Sequence, residues 1–354
     1  MRNATVIISI AAGSLVALAS QPPAWAQSNT KLQGEISLLQ SQVSAQQTQI
    51  NSLQKQLAAL QSNNVLALAP YVAVTQKAQN GVTGPNIIFT GANVHIRSGS
   101  GVTGDNGQPL GLGNLIVGYD EPPVSGIPGA QSRSGSHNLV VGSRHVFSSI
   151  GGFVVGLGNS IAGEYATVSG GTGNAAGGDN ASVSGGGNNV ASGIGASVSG
   201  GFNNTAGGQN SAVSGGQGNA ASGEFASVGG GFENAASGMA ASVGGGANGV
   251  SSGNQTSVCG GLANKASGDY ASVVAGHNNS AAGRTSSVVG GGGNTSTGGD
   301  ATVSGGTANL ASGHDGSIVG GNNNLATGDL SVVIGGQFQS ASDTQAILPQ
   351  PPFP

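Results

Sequence analysis

The sequence predicts an all-β parallel solenoid (a β-roll) of 15-residue coils, preceded by an N-terminal α-helical coiled coil. Three observations predict it. Valine stands at 168, 183, 198, 213, 228, 243, 258, 273, 288 and 303, Ile318 takes the next place, and Val333 closes the run. Glycine follows three residues after each of these twelve positions, from Gly171 to Gly336. Ahead of this register, residues 31–62 carry an apolar heptad. Phasing this strict means that one supersecondary unit is stacked on itself. A disordered tract shares the low charge and the small residues, but has no reason to hold valine in register.

The 354 residues include 68 glycines, and only 6 % are charged. With nine Lys and Arg spread over the chain and a net charge of −4, there is no basic patch for nucleic acid. Cys259 is the single cysteine, so no intrachain disulfide forms. Residues 1–26 read as a signal peptide. Arg2 supplies the positive end, Val6 to Ala19 the short apolar stretch, and Ala24-Trp25-Ala26 the small-x-small cleavage site. The apolar run is shorter than the ~20 residues of a membrane span. The expectation is an exported chain that starts at Gln27, lies outside the cell or at its surface, and carries no membrane span.

In the heptad, Ile36, Val43, Ile50 and Leu57 hold position a, and Leu32, Leu39, Gln46, Leu53 and Leu60 hold position d. The flanking e positions are all glutamine, from Gln33 to Gln61. Charge therefore does little to choose a partner, and identical chains are the natural choice. A helix lying on its own domain would show a wider apolar stripe than this narrow seam. β-branched residues at a with Leu at d lean towards a dimer. Asn63, Asn64 and Pro70 are expected to end the helix.

Residues 71–163 read as a β-rich connector and cap. Strands are predicted at Tyr71–Thr75, Asn86–Thr90 and Asn93–Arg97. Leu115–Gly118, Leu139–Gly142 and Phe153–Gly156 look like early, bulkier turns of the array, and Glu121–Ser136 like a loop. The regular repeat occupies residues 164–342, and a Pro-rich tail, 343–354, is expected to be disordered.

Within one unit, Ala181 to Gly195, small and polar residues alternate around Val183, as in a strand with one face inward. Val198 and Val213 repeat this place, and Gly186, Gly201 and Gly216 mark the bend that follows. Asparagine stands six after the valine in ten of twelve units, as at Asn189 and Asn204. Such a column is expected at a corner, in the left-handed region. Eight after the valine comes Ala or Ser, the inward residue of a second strand, and a glycine ten after closes the turn in eleven units. Each coil is thus two short strands and two bends, stacked about 4.8 Å apart. The residue just after the valine is Ser at 169, 184, 199 and 214, and becomes Cys259, Val274, Val289, Val319 and Ile334. An apolar column outside a coil needs cover, and a second chain is the simplest cover.

Variable residues collect at the bends. Phe202, Phe232, Leu262 and His277 lie four after the valine, and Asp269 and Arg284 eleven after. These six are the candidate ligand contacts. No catalytic, cofactor or metal site is predicted. Gly249-Val250-Ser251-Ser252-Gly253 has the Gly-x-Ser-x-Gly form but lies inside the repeat, without a strand-to-helix elbow. The five histidines are dispersed and show no metal spacing. Cys259 reads as a small buried filler. The expected function is non-enzymatic, structural or adhesive. The alternative is an ice- or crystal-surface binder, on hydroxyl columns such as Thr167, Ser182 and Ser197.

Ser-Val-x-Gly-Gly followed by Asn-x-Ala-x-Gly, over residues 139–342, resembles the head repeat of YadA-like trimeric autotransporter adhesins. That resemblance implies a left-handed parallel β-roll, a homotrimer, surface display, and adhesion to extracellular protein or glycan. The sequence departs from the family in two ways. The family's stalk follows its head, whereas this heptad comes first. No strands that would build a membrane anchor follow Ser342, so self-anchoring is not expected.

Overall fold

A computed structural model describes residues 23–62, 66–123 and 132–348. Most of the expected signal peptide, Asn63 and Asn64, the middle of the Glu121–Ser136 loop and residues 349–354 lie outside the described residues. The chain divides into two compact units, at Val94 and His95.

The first unit holds helix α1 (Ala24–Gln61) and two strands. The helix starts ahead of the heptad, and its end is closed by Ser62, whose N–H donates to the Ala58 carbonyl at 3.0 Å. None of its residues is buried, and all eight apolar a and d side chains are exposed. Strands β1 (Val72–Thr75) and β2 (Asn86–Phe89) pair antiparallel, with Val72 opposite Phe89. The strand expected at Asn93–Arg97 does not form. Alternation is not enough where no neighbouring backbone offers a ladder.

The second unit is the solenoid. It opens with β3 (Leu115–Val117), β4 (Leu139–Ser143), β5 (Val146–Phe147), β6 (Phe153–Leu157) and β7 (Ser160–Ile161). Two-residue strands then alternate between two sheets as far as β31 (Ser340–Ala341) and β32 (Ile347–Leu348). The first sheet has 16 strands and the second 14. Every pairing in them is parallel and keeps like residues in register, as with Val183 against Val198 and Ala191 against Ala206. At ladder spacing the first sheet is about 70 Å long. A third ladder, of single bridges four after the valine, runs from Leu157 through Thr172, Gly187 and Phe202 to Gln337.

The array is longer than residues 164–342. Its first sheet begins at β3, and the early coils step from Val140 to Val154 to Val168. At the other end Asp343–Leu348 is folded, correcting the expected tail. Leu348 stands fifteen after Val333 and packs against the core. A larger aliphatic residue fills the valine place, although Asp343 has replaced the closing glycine.

Four residues per coil face inward. In one unit they are Ala181, Val183, Asn189 and Ala191, each at most 1 % exposed. The asparagine column is therefore interior, not at a corner, and this corrects its expected role. Asn204 is representative. Its Nδ2 donates to the Gly200 and Gly216 carbonyls, both at 2.9 Å. Its Oδ1 accepts the Asn219 N–H at 3.0 Å. Buried polar groups must be paired, and this amide pairs groups in its own coil and in the next. The left-handed corners lie elsewhere: five after the valine, as at Asn188 and Asn203, and twelve after, as at Asn180 and Asn210. The glycine three after the valine is left-handed as expected. At Gly201, φ is 86° and a Cβ would come 2.1 Å from the Gly216 carbonyl oxygen. The glycine ten after is required by closeness instead. A Cβ on Gly193 would sit 2.0 Å from the Gly208 carbonyl, although φ there is negative-sided and ordinary.

The cap is polar. Asp105, buried, accepts hydrogen bonds from Ser98 Oγ at 2.5 Å, Ser100 Oγ at 2.6 Å and the Leu110 N–H at 3.1 Å. The hydroxyls of Ser100, Ser136 and Ser98 hold its carboxyl well below the usual carboxylate range. His145, fully buried, starts the amide column: its ring Nδ1 accepts the Asn159 N–H at 3.2 Å and Nε2 lies 3.1 Å from the Val141 carbonyl.

Candidate interaction surfaces

A rod of flat sheets offers faces and edges. The outer face of the first sheet is made by the residues on either side of each core valine. After it, Val274, Val289, Val319 and Ile334 are 43 %, 46 %, 52 % and 55 % exposed. Cys259 is exposed on the same column, so it is not a buried filler. Earlier on that face, Gly229 and Gly244 replace serine. They leave a shallow groove of about 370 Å³, bordered by Ser214, Ser227, Ser242 and Cys259. The outer face of the second sheet carries a different column, nine after the valine. Ser192, Ser222, Ser237, Ser252, Thr297, Ser312, Thr327 and Ser342 are exposed there, in eight of the twelve units.

The six candidate contacts divide between the two edges of the rod. Phe202, Phe232, Leu262 and His277 share the bridge ladder, with Gln217 and Ala247 between them. All four are exposed. Asp269 and Arg284 lie at the opposite bend. Asp269 Oδ1 accepts the Asn254 N–H of the preceding coil at 3.0 Å, a structural bond that Asp179 and Asp329 repeat. The Arg284 guanidinium stacks over Tyr270, 5.7 Å from the ring centre. The structure therefore makes two ridges, not one patch.

Sequence reasoning passed over the second ridge's largest side chains. Phe225, Tyr270 and Leu330 are half exposed, and all three are left-handed, with φ of 56°, 61° and 59°. Bulky residues seldom adopt that conformation. The available signal was a large apolar or aromatic residue where neighbouring coils place small or polar ones, such as Asn210, Ala240, Gln255, Thr285 and Asp315. The periodicity also gathers residues that look dispersed along the chain. His314 comes to lie between Asp300 and Asp315, a grouping that the dispersed histidines of the sequence do not reveal.

Ser251 of the Gly-x-Ser-x-Gly string is fully buried, and its hydroxyl pairs with Thr256 Oγ1 at 2.7 Å. It takes the inward place of the second strand and presents no nucleophile. Among the described residues, no helix is long and apolar enough to cross a membrane. No known family signature matches this chain, and no curated protein matches it.

Proposed function

We propose that this chain is an exported, non-enzymatic adhesive rod that assembles with copies of itself. Helix α1 forms a coiled-coil base, and the solenoid forms a left-handed β-roll head wound as a homotrimer, as in the YadA-like adhesins that its repeat resembles. Binding to extracellular protein or glycan then proceeds by extended contact, multiplied over equal faces. The observation that carries this reading is the apolar column at Val274, Val289, Val319 and Ile334, exposed on a single chain. The open a/d seam of α1 makes the same demand for a partner. Identical chains satisfy both surfaces at once.

Sedimentation equilibrium of residues 27–354 tests the assembly. A trimer mass is expected, and a monomer overturns it. Adhesion is tested separately, with coated beads on immobilised matrix proteins and glycans. Beads that bind none of them leave an oligomeric rod without the adhesive role.

A second reading, binding to ice or a crystal surface, is favoured by the hydroxyl column nine after the valine. It requires inhibition of ice recrystallisation by the purified chain. No inhibition removes the ice-binding form of that reading.

A further inference from the structure

We propose that Asp300 and His314 form a binding site for one borderline divalent cation of the zinc class, with Asp315 as the carboxylate that orients the histidine. The coil period builds it. Asp300 and Asp315 hold the same bend position in successive coils, both left-handed, with φ of 58° and 57°. His314, one residue before Asp315, is placed between them. Its Nδ1 lies 2.7 Å from Asp315 Oδ2, and its Nε2 lies 3.8 Å from Asp300 Oδ2. One ligand atom from each of the three residues falls within 4.8 Å of the others.

The two contacts are not alike. A neutral imidazole has a single N–H. The short Nδ1 contact to Asp315 is where that proton is used. Nε2 then turns a lone pair towards the Asp300 carboxylate, across a gap too long for a hydrogen bond. Two electron-pair donors facing each other at this separation leave room for a metal ion, with bonds of about 2.0–2.2 Å to each. Donation of the second ring N–H to a carboxylate is how metal-binding histidines are held in orientation.

The surroundings favour a cation. Asp329, in the next coil, accepts the His314 backbone N–H at 3.0 Å and adds a third carboxylate. The Arg284 guanidinium is stacked on Tyr270. Among the described residues, no Lys or Arg pairs with Asp300 or Asp315. A nitrogen ligand beside a carboxylate selects a borderline ion over Mg²⁺ or Ca²⁺. All three side chains are exposed, so water fills the remaining coordination positions. The bound ion ties one coil to the next.

The test is calorimetric titration of the untagged full chain with Zn²⁺ near neutral pH, with and without excess Mg²⁺. One saturable Zn²⁺ site per chain is expected, unaffected by Mg²⁺. His314→Ala and Asp300→Asn should each weaken it at least ~10-fold, and Asp315→Asn by about 10-fold through the lost orientation. Circular dichroism of the three variants should match the parent. Absence of saturable binding overturns the proposal and leaves His314 as an ion-pair partner only. Binding unchanged in His314→Ala overturns it by placing the ion elsewhere, and displacement by equimolar Mg²⁺ overturns the nitrogen ligand.

Discussion

At the scale of the residue, the inward asparagine does the work that a side-chain core does in a globular domain. Asn204 pairs the Gly200 carbonyl and the Asn219 N–H, and adds a second bond to the Gly216 carbonyl, which also accepts the Phe202 N–H. Asn204→Ala should cost about 2 kcal/mol or more, read as a lower midpoint in urea. Asn204→Asp, nearly the same shape, should cost more, because it turns an acceptor towards two carbonyls. Two of the twelve units depart from asparagine: the last carries Gln339, and inside the column Gly249 leaves a gap. Gly249 N–H donates to Asn234 Oδ1 at 2.8 Å like its equivalents, but Gly249 has no side-chain amide to pass on to the next coil. Gly249→Asn should raise the thermal midpoint, since the ten equivalent asparagines occupy this place. A lower midpoint would mean that Val243 and Val258, 3.2 and 3.4 Å from a Cβ there, do not give way. Adjacent glycines make a sharper contrast. Gly200→Ala meets nothing within 4 Å, whereas Gly201→Ala meets a backbone carbonyl and a left-handed φ. The first should leave the melting temperature nearly unchanged and the second should lower it by several degrees. The period of Asn and Gly was legible in the sequence. Its cause was not, because a period of fifteen does not tell which of two adjacent polar residues turns inward. Asn188 turns the corner and Asn189 enters the core.

At the scale of the element, strands of two residues have little identity alone. The alternation around each valine was readable, as were β1, β2 and the early strands at Leu115, Leu139 and Phe153. The single-residue ladder at Phe202 and its equivalents was not, since one bridge per coil leaves no alternation to read. The failure at Asn93–Arg97 has the complementary cause: a good pattern with no ladder. The cap makes its own prediction. Because the folded state holds Asp105 ionised below its unfolded value of about 3.9, its contribution is present at neutral pH and is lost as pH falls through and below that value. Hydrogen exchange in residues 98–117 should rise on acidification, and Asp105→Asn should remove that acid-dependent part. An unchanged acid profile in the variant would assign the effect to another carboxylate.

At the scale of the whole molecule, one-dimensional order was plain from the valine spacing, and the candidate site was not. Surface residues carry no phase of their own. Phe202 and Arg284 seemed comparable as bend residues, yet they occupy opposite edges. The outward column at Val274 to Ile334 was readable, because its change from Ser to Val follows the core valine by one place. If it is a chain–chain contact, Val289→Asp with Val319→Asp should shift the sedimentation mass towards monomer without loss of β signal. A mass equal to the parent's would move the contact to another face.

The bonds between coils point along the rod, since the strand N–H groups reach carbonyls one coil away, as Ser182 does to Ala196 and Val190 to Asn204. Tension applied at the two ends therefore loads these interfaces one after another, and an end coil peels before an inner one. Each coil released pays out fifteen residues of slack, about 50 Å when drawn straight. A tether of this kind yields in small, repeated steps, so a jerk is absorbed by a few outer turns while the rest of the rod stays wound.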